Sequence, residues 1–284
     1  MSEDVEFLDP GERYRLIEAK NTFDFPATGF RFIDDHKGFR KQRMHVLMAT
    51  TGVGKTTLSR SLLIKMLESG KKVFLYSSEE TLVEIKTELA QSTVSDSSLK
   101  HLTFLHEDEV LAYCGNDENN IDSFMEYLRF KLARAQPDLL LVDNLTTSVF
   151  YDGKINVATK LVAFFKTYLR ESDTAGLFIA HTKDGSDDNK GYISASDVRG
   201  SKSLTNKAEF LYVYQRIKHT TADGKMRFYP IITVDKSRGY DCRGRKYRLK
   251  YNPGTQCYVD DAPIDHNAFN ELYASRDQLG RKPK

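Results

Sequence analysis

Ala49, Thr50, Thr51, Gly52, Val53, Gly54, Lys55, Thr56 and Thr57 form a run of small residues carrying Gly-Lys-Thr. Such a run, set between a buried strand and a helix, wraps phosphates with backbone N–H groups at the helix N-terminus. Lys55 is then placed to reach the β- and γ-phosphates and Thr56 to ligate Mg²⁺. ATP, or another NTP, with Mg²⁺ is the expected cofactor set. Ala49 stands where the common pattern has glycine, and alanine is small enough there unless φ must be positive. Asp143 follows Leu139, Leu140, Leu141 and Val142, as a second Mg²⁺-holding carboxylate should. Alone it would read better as a turn or helix-capping residue; beside a phosphate loop the metal role is favoured. Glu79 and Glu80 follow another apolar run. A carboxylate at the carboxyl end of a parallel strand faces the ligand crevice, where it could polarise a water. Both could equally begin a helix, where the dipole favours Glu.

The elements that must position these groups alternate strand and helix. Apolar runs at 44–49, 73–76, 102–105, 139–142, 176–180 and 210–214 read as strands. Helices are expected over 55–69, ended by Gly70, and along the stripes Ile121, Phe124, Met125, Leu128, Leu132 and Val157, Leu161, Phe165, Tyr168. Runs without alternation mean strands covered on both faces. Helical connections imply an α/β fold with a mostly parallel twisted sheet. Past residue 215 the pattern changes. Asp223-Gly224 signals a tight turn, and Tyr247, Leu249, Tyr251 alternate with Lys246, Arg248, Lys250. An antiparallel C-terminal edge is expected, with the three cations on a solvated outer face. Residues 1–25 read as an arm with a short helix over 12–20 and a linker over 21–26, residues 26–260 as the ATPase domain, and 261–284 as a polar tail.

Composition bounds the partners. The chain has 284 residues, 42 basic against 40 acidic, a net charge of +2, which excludes a histone-like binding mode and leaves room for a local basic groove. No stretch approaches the roughly 18 apolar residues of a membrane helix, and no apolar leader opens the chain. Cys114, Cys242 and Cys257 form no CxxC pair, so a reducing cytoplasm is the expected compartment.

In this order and spacing, the motifs resemble the RecA-like helicase domain of DnaB-type replicative hexameric helicases. They are most similar to the helicase half of short-tailed-phage primase-helicases, over about residues 26–260. Residues 28–34, Thr-Gly-Phe-Arg-Phe-Ile-Asp, match the segment before the phosphate loop. The resemblance selects Glu79 over Glu80 as the catalytic carboxylate and makes His181 a γ-phosphate sensor. It implies that Lys236 and Arg238, in Lys-Ser-Arg, act on the triphosphate of an adjacent subunit, and that Tyr251 stacks on the base. It places DNA on the loop after His181, where Lys183, Asn189 and Lys190 suit sequence-neutral phosphate contacts, although Asp184, Asp187 and Asp188 oppose them.

The function so implied is an ATP-dependent replicative helicase, a homohexameric ring in the bacterial or phage-infected cytoplasm that translocates on single-stranded DNA and unwinds duplex. A separate primase or polymerase would be a further partner. Two alternatives share the motifs: a RecA- or RadA-like recombination ATPase, and an accessory module that binds nucleotide but unwinds nothing.

Overall fold

The computed structural model describes residues 12, 15, 18–19, 22–92, 94–151, 155–183, 193–199, 202–220 and 225–263. Nine strands make one sheet: β1 (Met44–Ala49), β2 (Val73–Ser77), β3 (Leu102–His106), β4 (Leu139–Asp143), β5 (Ala175–His181), β6 (Phe210–Thr220), β7 (Met226–Ser237), β8 (Lys246–Asn252) and β9 (Cys257–Pro263). Their order is β3-β2-β4-β5-β1-β6-β7-β8-β9. Pairing is parallel from β3 to β6 and antiparallel from β6 to β9. This is the expected α/β architecture with its antiparallel C-terminal edge.

The helices are α1 (Arg31–Asp34), α2 (Lys55–Glu68), α3 (Leu82–Gln91), α4 (Asp96–Leu99), α5 (Glu107–Tyr113), α6 (Ile121–Ala135), α7 (Ile155–Glu171) and α8 (Ser203–Lys207). Every residue of β1, β2, β4 and β5 is buried, as non-alternating apolar runs require. Side chains alternate between two cores. Leu47 and Ala49 join Leu58, Leu62 and Leu63 of α2, while Val46 and Met48 join Leu128 of α6 and Phe165 of α7 on the opposite face. No helix among the described residues is long and apolar enough to cross a membrane.

Several expected boundaries move. Phe25, placed in a linker by its sequence, is 2% exposed and belongs to the core. Of the expected N-terminal helix, Glu12, Arg15, Glu18 and Ala19 are helical; Tyr14, Leu16 and Ile17 lie outside the described residues, as does Asp223-Gly224. β9 continues past residue 260 to Pro263, so the end of the sheet lies beyond the expected start of the tail. The edge is therefore β9 and not β8. Arg248, expected on a solvated face, donates from Nε to Asp261 of β9 at 2.7 Å. Tyr247 and Leu249 are buried, but Tyr251 lies 43% exposed.

Candidate active site

Register brings the candidate residues together. Ala49 lies opposite His181, and Ser77 opposite Asp143, so the carboxyl ends of β1, β5, β2 and β4 open on one crevice. The phosphate loop leaves β1 and enters α2 at Gly54, whose φ of 93° is a left-handed conformation that glycine adopts without strain. A Cβ at Gly54 would also meet the Tyr258 hydroxyl at 2.9 Å. That loop frees backbone N–H groups at the start of a long helix, the arrangement a phosphate needs. Thr50 Oγ1, inside the loop, is buried with no hydrogen-bond partner among the described residues.

Three expected side chains converge on the Lys55 ammonium, which is nearly buried. Its Nζ lies 3.5 Å from Glu79 Oε2, 3.5 Å from Asp143 Oδ1 and 3.4 Å from His181 Nε2. His181 Nε2 stands 3.3 Å from Glu79 Oε1, and its Nδ1 faces Thr51 Oγ1 at 3.3 Å. Glu79 Oε1 further accepts from Asn144 Nδ2 at 2.8 Å and Thr147 Oγ1 at 3.1 Å. The His181 hydrogen bond, then the Lys55 charge, outweigh partial burial and hold the Glu79 carboxyl down at about 2. Glu80 turns away: its carboxylate accepts from Arg60 at 2.7 Å, and burial raises its pKa. Asp143 Oδ2 accepts from Ser59 Oγ at 2.6 Å.

Ser59 and Tyr258 were not singled out by their types. Ser59 lies one turn beyond the phosphate loop, and only the pairing of β4 beside β2 brings Asp143 to it. Tyr258, on the last strand, receives a hydrogen bond from Tyr214 Oη at 2.8 Å, and its backbone N donates to Ser61 Oγ of α2 at 2.9 Å. Tyr251 stands edge-on to Tyr258 with ring centroids 5.7 Å apart. With Thr57, Arg60 and Gln256 it lines a cavity of about 170 Å³ beside α2. The position expected to stack on a base is thus on the phosphate-loop side of the molecule.

Lys236 and Arg238 are elsewhere. Ser237 pairs with Phe210, and Phe210 with His45 near the start of β1. A strand rise of about 3.3 Å per residue sets that end roughly 13 Å or more from Ala49. Lys236 Nζ donates to the carbonyls of Thr205 (3.3 Å) and Asn206 (3.0 Å). Arg238 is exposed. The loop after β5 starts as a short antiparallel pairing: Lys183 N donates to Asp197 O at 2.7 Å and Arg199 N to His181 O at 2.8 Å. The Lys183 side chain is exposed; Asn189 and Lys190 lie outside the described residues.

These groups fit a magnesium nucleotide. A buried ammonium, a glycine-capped helix start, an orphaned threonine hydroxyl and one buried carboxylate with a serine behind it are the donors such a ligand uses. Among the described residues no group of three or more His, Cys, Asp or Glu side chains could hold a metal ion; Mg²⁺ that arrives with a nucleotide would meet Thr56 and Asp143 on the protein side.

The family model described as "ATPase: KaiC" matches residues 27–254. Among solved structures, the KaiC-like protein PH0186 from the hyperthermophilic archaeon Pyrococcus horikoshii OT3 is similar in fold. Its TM-score is 0.64 at 15% identity, over 84% of this chain and 100% of that one. No curated protein matches the chain.

Proposed function

Since the chain belongs to the KaiC ATPase family, within the RecA-like P-loop fold, we propose that it is an ATP-driven DNA motor. Its protomers assemble head to tail into a ring, hexameric by the likeness to replicative helicases, that travels on single-stranded DNA and separates duplex. One observation carries this: Lys55, Glu79, Asp143 and His181 meet around one ammonium, while Arg238 stands at the far end of the same sheet. On this reading Arg238, too distant from the phosphate loop of its own chain, acts on the nucleotide of a neighbour. Such a finger contributes on the order of 10³–10⁵ in rate in related NTPases.

Lys55 binds the β- and γ-phosphates, and Glu79 orients the attacking water. Thr56 and Asp143 would hold Mg²⁺, which would supply charge neutralisation at the phosphates. A triphosphate takes the Lys55 ammonium for itself, which removes one of the attractions on Glu79 and makes its carboxylate a better base once substrate is bound. His181 touches Glu79 and Lys55 and is joined through its backbone to Arg199, so the phosphate state is felt at the root of the loop that would carry DNA. The loop contacts are electrostatic, so DNA affinity falls with salt.

The test is ATP turnover with and without oligo-dT, followed by a forked-duplex unwinding assay. Stimulated turnover with unwinding is expected. Turnover indifferent to oligonucleotide, with no unwinding, leaves an ATPase of this family and removes the DNA motor. The KaiC family match is compatible with one second reading, a RecA-like recombination ATPase; open filaments on single-stranded DNA in place of closed rings would select it.

A further inference from the structure

Cations collect at the amino end of the parallel strands, opposite Lys55. Arg43 precedes β1, Lys166 and Arg170 lie near the end of α7, Lys207 ends α8, and Lys236 and Arg238 close β7. The carboxylates at this end are engaged with other groups: Asp173 pairs with Lys41, and Asp138 Oδ2 accepts from Lys72 N at 2.9 Å. Glu209, 3% exposed, grips Lys166 Nζ with its carboxylate and accepts from Met44 N at 3.0 Å; Asp24 pairs with Arg40 at 3.2 Å. The side chains of Arg43, Arg170, Lys207 and Arg238 form no ion pair or hydrogen bond among the described residues. Their field is felt locally. Burial lowers the pKa of Lys166 and of Lys236; Arg170 and Arg43 lower Lys166 further, and Arg238 and Lys166 do the same to Lys236. An uncompensated field of this kind attracts anions.

The same groups wall two cavities that share Glu209 and Arg238. One, of about 440 Å³, reaches Arg43; the other, of about 350 Å³, reaches Arg170 and Lys207. Arg238 thus lines both recesses, one together with Arg43 and the other together with Arg170. Planar guanidinium forks suit bidentate phosphate contacts. The backbone beneath is pinned, since Arg238 N donates to Glu209 O at 3.0 Å and Glu209 is itself locked to Lys166 and β1.

We propose that Arg43, Arg170 and Lys207 form, together with Arg238, a polyphosphate-binding face that receives the nucleotide triphosphate seated in the phosphate loop of a second copy of this chain. This rests on the reading that the arginine acts in trans. It assigns that face three cations, from three other elements, that no motif marks. Arg43 and Arg170 are exposed, so replacing them leaves both cores intact.

The experiment mixes inactive partners. Arg43→Gln/Arg170→Gln protein keeps its phosphate loop and loses the face; Lys55→Ala protein loses the loop and keeps the face. Each alone should turn over ATP at least about tenfold more slowly than wild type at saturating nucleotide. Mixed one to one, about a quarter of head-to-tail contacts join an intact loop to an intact face, and turnover should recover in that proportion. Lys55→Ala mixed with Arg238→Ala is the control. Wild-type turnover of Arg43→Gln/Arg170→Gln overturns the proposal, as does a mixture no better than its parents while the control recovers; the in-trans reading then stands. A control that also fails to recover removes that reading, and this proposal with it.

Discussion

Glu79 Oε1 and His181 Nε2 lie 3.3 Å apart across the crevice between β2 and β5, and Lys55 Nζ lies within 3.5 Å of each residue. Two strands that are not neighbours in the sheet thus present their terminal polar groups to one cation. The Glu79 carboxylate is held from four directions, by Lys55, His181, Asn144 and Thr147.

Glu79→Gln should lower single-turnover hydrolysis by about 10²–10⁴ while leaving nucleotide affinity within a few-fold. Its acid stability should change in a defined direction. The Glu79 pKa is depressed from 4.5 to about 2, so its contribution to folding is present above the unfolded value and lost as pH falls toward 2. Urea titrations of wild type and Glu79→Gln should differ most near neutral pH and converge near pH 2. A gap that widens on acidification would contradict the ion-pair account.

Ser59→Ala removes the hydroxyl that donates to Asp143 Oδ2. A group that orients a metal-holding carboxylate typically affects metal affinity by 10–100-fold. The half-saturating Mg²⁺ concentration for turnover should rise about tenfold, with turnover at saturating Mg²⁺ nearly preserved. An unchanged Mg²⁺ curve would make Ser59 a packing residue only.

Gly54→Ala combines a φ of 93° with a methyl 2.9 Å from the Tyr258 hydroxyl. The expected cost is about 1–3 kcal/mol in chemical denaturation, with loss of fluorescent-nucleotide binding. Adding Tyr258→Phe should recover part of the stability, because the clashing oxygen is gone, and little of the binding.

The buried histidines make a second acid-sensitive point. Arg40 N donates to His45 Nε2 at 3.0 Å, His45 Nδ1 lies 2.9 Å from Tyr212 Oη, and that hydroxyl lies 2.7 Å from His36 Nε2. Among the described residues His36 Nδ1 has no hydrogen-bond partner. Burial, reinforced by Arg40, depresses the His36 pKa to about 3 from 6.5; burial and His36 lower that of His45 as well. A depressed base means that the unfolded chain takes up the proton first. Stability is full above pH 6.5 and falls as the pH drops toward 3, with a slope of about 1.4 kcal/mol per unit for His36 alone. His36→Phe, which keeps the stack on Phe210, should flatten this decline in urea midpoints measured from pH 7 to pH 4.5. An equally steep decline in the variant would assign the effect to other groups.

Much of the crevice was legible in the chain because its parts are local. Gly52 to Thr56 is one continuous segment, and Asp143 and Glu79 each end an apolar run whose burial the sequence already required. Tyr258 was not legible. Its strand holds Asp260, Asp261 and Pro263, poor strand formers, and forms because β8 offers an unpaired edge and α2 a surface to lie against. The histidine pair was hidden likewise: His36 and His45 belong to different segments, and only the placing of β6 inserts Tyr212 between them. Arg43 and Arg170 look like ordinary surface cations until the start of β1 and the end of α7 are seen to meet around Glu209.

The hydroxyl contact between Tyr258 and Tyr214 beside Gly54 also bears on folding order. Gly54 and the ring that lies beside it are some two hundred residues apart in the chain. Their meeting closes one of the longest loops in the molecule, which makes the bracing of this turn a late, non-local event in folding.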